Sequence, residues 1–594
     1  MLFLIDVETL DFKPLIAPRW VATLNYRYVR NAVAVRWIEN DLLAVDFDDD
    51  EAEAVDLAGR KVASLGAHYI GRVARKGDPA ELFVLAFLDA KRQSLALINP
   101  RTGERKRYDS PPSGKLMDVA FDDEGALRAA TTVNTTFWTA RTTISQWYRS
   151  SEQAEWQLLQ QEPVTADHWR PLYVPAAPDS LVVQSRRDRD TWAIFRYDTK
   201  TRTETELMAG HPSEDIIYAN GLGNEVFHRV VTNGLEQQTH WFDPRWARLQ
   251  ATVDKALPKR VNMLSGDPLT SVLVFSHADV DPGRWYVLNT IAMTLKEVLR
   301  AAPRIRVDAM RPMRTLRYTA RDGVVVPGYL TLPDATGAQP LVVLIHGGPA
   351  TRDQWAWDAQ VQLLALSGYV VFQPQFRGST GFGATFERAG RGQWGLGMQD
   401  DVTDGVHYLI DQKIADPNRI CIYGSSYGGY AALWGLAKTP DLYRCGVSFA
   451  GVTDIDALLS GRSDVNSDPA AREWIRFQLG TTVTDKPQFE AVSPLRQATL
   501  IQAPVLLAHG KYDRRVPLSH GLDMVEALKA NGKTYQWMLF ENEGHGLIYV
   551  DNQRKYFHAL LDFLDRHIGP DAAAGSGQPT SAVPGLPTAQ VPAD

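Results

Sequence analysis

Ser426, in the run Gly424-Ser425-Ser426-Tyr427-Gly428, is the first residue whose type and spacing could do covalent chemistry. The strand-like run Arg419–Tyr423 precedes it and the helically spaced run Tyr427–Ala437 follows, so the chain must turn sharply at this serine. Flanking glycines permit that turn, and a hydroxyl lifted above a sheet with helix amides behind it is placed to attack a carbonyl. Among 44 glycines a bare match to this spacing is weak, and the strand–turn–helix setting gives it weight. Ser425 has no glycine two positions earlier and reads as a turn residue.

A serine hydroxyl needs a base at neutral pH, and the base needs an acid to hold its tautomer. In a parallel α/β sheet both should follow the serine, acid before histidine. After the apolar run Pro504–Ala508 comes His509-Gly510-Lys511-Tyr512-Asp513-Arg514-Arg515-Val516-Pro517, and after Tyr535–Phe540 comes Glu541-Asn542-Glu543-Gly544-His545-Gly546. Asp513 is therefore the candidate orienting acid and His545 the candidate general base, each on a loop at the carboxyl end of a strand, where open sheets carry their sites. His509, His520 and His558 are weaker candidates, the first on the acid's own loop and the others in helical runs. A tetrahedral intermediate also needs amide donors. The amide of Tyr427 follows the nucleophile, and His346-Gly347-Gly348-Pro349 matches the glycine-rich loop of esterases and lipases, making Gly348 the second donor.

The elements that must position these groups divide the chain in two. With 594 residues the chain exceeds the roughly 250–300 residues at which one core stops growing. Residues 1–305 are dominated by short apolar runs such as Leu95–Ile98 and Leu181–Gln184, with acidic or amide turns recurring at Asp6, Asp56, Asn99, Asp198, Asp243 and Asn289 and a weaker turn signal near Ser150. That spacing is close to the roughly 40–50 residues of a four-stranded blade and predicts a seven-bladed β-propeller with an incomplete first blade; a pair of β-sandwiches or an irregular all-β domain is the alternative. Residues 306–570 alternate strands with helices and predict an α/β-hydrolase domain with a mainly parallel sheet. Residues 571–594, rich in Ala, Gly, Pro, Ser and Thr, predict a disordered tail.

Composition excludes several functions. Lys and Arg number 63 against 70 Asp and Glu, so the basic footprint that nucleic acid demands is missing. No apolar stretch reaches the roughly 20 residues of a membrane-spanning helix. The two cysteines, Cys421 and Cys445, lie in apolar runs and are expected as free buried thiols. The first residues lack the features of a signal peptide, so the chain as written is expected in the cytoplasm, or in the periplasm or outside the cell if a leader lies upstream.

Taken together, His346–Pro349, Arg377-Gly378-Ser379-Thr380-Gly381-Phe382-Gly383, Gly424–Tyr430, Asp513–Pro517 and Gly544–Gly546 resemble the catalytic domain of the prolyl oligopeptidase family, nearest its acylaminoacyl-peptidase and dipeptidyl-peptidase branch. The resemblance implies a serine peptidase acting on short peptides through a Ser-His-Asp triad, with no metal or organic cofactor, with a propeller that caps the site, and with homo-oligomerisation left open. It also implies that Arg515 binds a peptide carbonyl, and that Val452, Ile455, Leu458, Val516 and Tyr430 line an apolar specificity pocket. A solvated loop arginine and core packing explain the same residues equally well. The glutamate pair with which dipeptidyl peptidases of this family clamp a free amino terminus has no counterpart, since Glu152, Glu155 and Glu162 are scattered. A carboxylesterase on the same fold is the alternative activity.

Overall fold

The computed structural model describes residues 2–5, 12–16, 19–22, 27–30, 32–47, 51–73, 83–87, 95–107, 112, 114–122, 126–136, 141–219, 229–461, 463–480 and 486–569. The tail read at 571–594 lies outside the described residues.

The N-terminal half is a propeller-like series of small antiparallel sheets. Five are four-stranded, running from Ala32–Glu39 to Lys61–Gly66, His68–Val73 to Arg105–Arg107, Lys115–Phe121 to Gln157–Pro163, Arg170–Tyr173 to Thr203–Ala209, and Val261–Asp267 to Thr294–Arg300. Ile216–Ala219, Arg229–Asn233 and Gln237–Trp241 form a three-stranded sheet, and Leu2–Ile5 with Phe12–Ile16 and Arg19–Ala22 with Arg27–Arg30 form two-stranded ones. Seven complete blades are thus not found among the described residues. Asp56, Asn99, Asp198 and Asn289 do turn the last hairpin of a sheet, as expected: the carboxylate of Asp198, for example, accepts from the amides of Lys200 and Thr201, both at 2.8 Å. Asp243 does not. Pro244 follows it, and its fixed φ starts a helix, Pro244–Ala256, which Asp243 caps by accepting from the Arg245 amide at 2.7 Å. The Asp6 turn lies outside the described residues.

The second half is built on one eight-stranded sheet. We number its strands β1 (Met313–Thr319), β2 (Val325–Thr331), β3 (Gln339–Ile345), β4 (Val370–Pro374), β5 (Ala415–Ser425), β6 (Cys445–Phe449), β7 (Val505–Gly510) and β8 (Tyr535–Phe540). Their order is β1-β2-β4-β3-β5-β6-β7-β8; the β1–β2 and β2–β4 pairs are antiparallel, and every pair from β4–β3 to β7–β8 is parallel. Helices cover both faces, so the strands are apolar on both sides: Leu341, Val343 and Ile345 enter one core, Val342 and Leu344 the other.

Parallel register also corrects the reading of the cysteines. Cys421 on β5 and Cys445 on β6 are direct partners on the same face, their Cα atoms 4.7 Å apart, and are joined in a disulfide. Two apolar runs 24 residues apart carry no sign of such a pairing until the strands align.

The two halves are bolted together. Buried Arg186 reaches Asp167 on its own side at 2.7 Å and Glu387 across the interface at 2.8 Å. Asp190 accepts from the Ala384 and Thr385 amides, and Glu473 accepts from the Thr142 amide at 2.8 Å. Among the described residues no helix is long and apolar enough to cross a membrane.

Candidate active site

Ser426 lies at the junction of β5 and the helix Tyr427–Lys438, with φ 59° and ψ -120°. A non-glycine residue holds that conformation only where the surroundings over-determine it. Here strand and helix are pressed together by glycines: a Cβ on Gly424 would lie 2.4 Å from the Gly428 carbonyl carbon, and one on Gly428 would lie 2.1 Å from Ile345 O. The amide of Ser426 donates to Phe449 O on β6, and its carbonyl accepts from the Tyr430 amide, both at 3.0 Å. The turn is tied at both ends.

Asp513 and His545 meet directly. His545 Nδ1 donates to Asp513 Oδ2 at 2.7 Å, which leaves Nε2 as the free ring nitrogen. The other carboxylate oxygen accepts from the Arg515 and Val516 amides, each at 2.9 Å. Burial works against charge on Asp513, yet the adjacent His509 ring and the hydrogen bond from His545 hold its pKa well below the usual carboxylate range. His509, set aside above as a weak base, therefore belongs to the acid's environment: it is buried, donates from Nε2 to Val516 O at 2.9 Å, and lies 3.4 Å from Asp513 Oδ2. Its position at the end of β7, four residues before the aspartate, was the available signal.

Glu543 carries no mark in sequence beyond standing two residues before His545. Its carboxylate, 1% exposed, accepts from the Ile548 and Tyr549 amides at 2.9 Å and from Asn552 Nδ2 at 2.8 Å. Its carbonyl accepts from the Tyr512 amide at 2.9 Å. One side chain thus closes the loop that presents His545, and one carbonyl ties that loop to the loop of Asp513.

The glycine-rich loop after β3 lies against the serine turn, since a Cβ on Gly347 would sit 3.5 Å from Ser426 Cβ. Buried His346 organises it. Burial pushes its pKa down to about 4, so the ring is neutral near pH 7. Nδ1 donates to Gly347 O at 2.7 Å, which leaves Nε2 as the unprotonated nitrogen, 2.9 Å from Ser379 Oγ; the Ser379 hydroxyl itself donates to Phe376 O at 2.7 Å. The Gly347 carbonyl and the Gly348 amide belong to one planar peptide, so fixing the carbonyl fixes the direction of the N–H. The Gly347 carbonyl, which can only accept, sets this tautomer, and Ser379, noted above only as part of a motif, packs its hydroxyl against the other ring nitrogen.

The residues read as a specificity pocket fall together in one buried core cluster: Val452, Ile455, Leu458, Val516 and Tyr430. The Tyr430 hydroxyl donates to Val492 O at 3.0 Å. Arg515 is exposed and pairs with Asp464 at 3.2 Å.

Ser426, Asp513 and His545 follow the carboxyl ends of β5, β7 and β8, strands that run parallel within one sheet, so all three stand on the same rim. The prolyl oligopeptidase family model matches residues 355–571, which include all three. The chain carries a prolyl oligopeptidase family domain. Dipeptidyl aminopeptidase BIII of Pseudoxanthomonas mexicana is 33% identical over 326 residues, covering 52% of this chain and 46% of that protein. The rat acylamino-acid-releasing enzyme is 28% identical over 245 residues, covering 40% of this chain and 32% of its own length. The chain thus spans about half the length, or less, of these curated relatives. A puromycin-hydrolyzing peptidase of Mycobacterium tuberculosis superposes with a TM-score of 0.73 at 19% identity, over 94% of this chain and 90% of that one. At that identity the likeness is one of fold, and it extends across the propeller-like half as well as the prolyl oligopeptidase family domain.

Proposed function

We propose that the protein is a serine peptidase that hydrolyses short peptides through an acyl-enzyme. Ser426 Oγ attacks the scissile carbonyl carbon and passes its proton to His545 Nε2. Asp513 holds the imidazole and stabilises the imidazolium. The amides of Tyr427 and Gly348 take the oxyanion, the latter directed by His346 through the Gly347 carbonyl. The C–N bond then breaks and the amine leaves with the proton held by His545. Water, deprotonated by the same imidazole, attacks the ester and releases the acid and free Ser426. Arg515 is assigned to a peptide carbonyl, and Val452, Ile455, Leu458, Val516 and Tyr430 to the wall behind the residue on the acyl side. The propeller-like half, fastened across the rim, restricts entry to short or unfolded chains.

The observation that carries this reading is the 2.7 Å bond from His545 Nδ1 to Asp513, on the rim where Ser426 makes its strained turn. It selects the tautomer a serine base needs. The names of the relatives, a dipeptidyl aminopeptidase and an acylamino-acid-releasing enzyme, favour amide over ester substrates. Labelling with a fluorophosphonate should modify Ser426 and abolish cleavage of a mixed peptide library. Turnover of nitrophenyl esters without cleavage of any peptide would overturn the peptidase reading in favour of a carboxylesterase.

A further inference from the structure

A cavity of about 310 Å³ lies between the propeller-like half and the α/β domain, and its lining includes Ala350 and Thr380 beside the glycine-rich loop. It is about the smallest size at which ligand sites occur, enough for one or two residues of a peptide. Its lining holds four guanidiniums and three carboxylates. Two of the cations are committed: Arg186 to Asp167 and Glu387, and Arg388 to Asp167. The third carboxylate, Asp215, is buried and accepts from the Trp192 amide at 2.9 Å.

Arg170 and Arg391 are different. Neither has a carboxylate within ion-pair distance among the described residues, and both are exposed. Each lies over an aromatic ring, Arg170 at 5.5 Å from the centre of Trp192 and Arg391 at 3.9 Å from that of Phe477. A guanidinium stacked in this way keeps its in-plane N–H donors free for a planar acceptor, and its orientation is already restricted before a ligand arrives. One comes from the propeller-like half and the other from the α/β domain, so the charge pair exists only where the halves meet.

We propose that this cavity is a carboxylate subsite, with Arg170 and Arg391 as its cations, taking an anionic group of the bound peptide. The proposal rests on the peptidase reading. The shared chemistry is a carboxylate, either the C-terminal group or the side chain of Asp or Glu.

The test is calorimetric binding to full-length protein carrying Ser426→Ala, with three pentapeptides: Gly-Ala-Phe-Ala-Gly with a free C-terminus, its C-terminal amide, and the amide with glutamate in place of the last alanine. At least one carboxylate peptide should bind about tenfold tighter than the neutral amide near 50 mM salt and lose most of that margin near 500 mM. Which one gains identifies the source. Arg170→Gln and Arg391→Gln, each added to the Ser426→Ala protein, should bring the ratio to within about twofold. Equal affinity for the three peptides, or a preference that survives both substitutions, overturns the proposal. Cleavage of the same peptides by the wild type tells the two failures apart: cleavage without preference removes only the subsite, and no cleavage with no binding removes the peptidase reading and the subsite with it.

Discussion

Glu543 offers the sharpest perturbation of the site, because it touches neither the serine nor the bond to be cut. Its carboxylate satisfies two backbone amides and Asn552 Nδ2 from inside the loop that carries His545. Glu543→Ala leaves those amides buried without acceptors, at about 1–3 kcal/mol each. The expected loss, about 3–5 kcal/mol, is a large share of the stability of an ordinary domain. Glu543→Gln keeps the volume and one oxygen, but turns an NH₂ toward a backbone N–H, and should cost about 1–3 kcal/mol. For catalysis the consequence is displacement of the imidazole: a drift near 1 Å lowers turnover about a hundredfold. The assay is kcat and KM on any peptide the wild type cleaves, well below each variant's thermal midpoint. The alanine variant should lose about two orders of magnitude in kcat with KM within about twofold, the glutamine variant less, and Asn552→Ala least. A lowered midpoint with unchanged kcat would show that the carboxylate only staples the fold, and the argument for a positioning role would fail.

Further outcomes follow from other contacts. Asp513→Asn should keep the fold and lower kcat about 10⁴-fold by turning an amide toward His545 Nδ1; near-normal turnover would remove Asp513 from its role. Gly428→Ala drives a Cβ to 2.1 Å from Ile345 O, backbone that cannot yield, and should cost about 3 kcal/mol or more in a denaturant titration. Arg515→Ala should lower kcat/KM on peptides about tenfold and on a nitrophenyl ester less; equal losses would contradict a peptide-binding role. Asp353 is pushed up to about 7 by burial and by the nearby Asp358, and its Oδ2 and Gln373 Oε1 are both buried without partners. Because its folded pKa is raised, the folded state binds the extra proton between about pH 4 and 7, so stability falls as pH rises through that window. Asp353→Asn should therefore raise the melting temperature most at pH 8, by roughly 1–3 kcal/mol in stability, with the gain fading toward pH 4. A gain independent of pH would exclude titration as its cause.

The sequence by itself determined what depends on local pattern. Glycines two positions either side of Ser426, between a strand-like and a helical run, specify a strained turn wherever that pair of elements occurs. Apolar runs spaced by helices specify a parallel sheet, and strand ends followed by Asp513 and His545 place both on the rim at its carboxyl ends. The acidic and amide turns at Asp56, Asn99, Asp198 and Asn289 were legible because an Asx side chain bonds amides two to four residues on, a contact that needs nothing distant. Tertiary structure alone decided what depends on register and on meeting partners. Cys421 and Cys445 became a disulfide because β5 and β6 align them face to face. Asp243 became a helix cap because the next residue is proline and a buried site awaited the helix. His509 joined Asp513, and His346 found Ser379, through contacts between loops whose separation in space no spacing records. Arg170 and Arg391, 221 positions apart in the chain, share a cavity only because two halves with independent cores dock there. Local rules fix where a side chain leaves the backbone; only packing fixes what it meets.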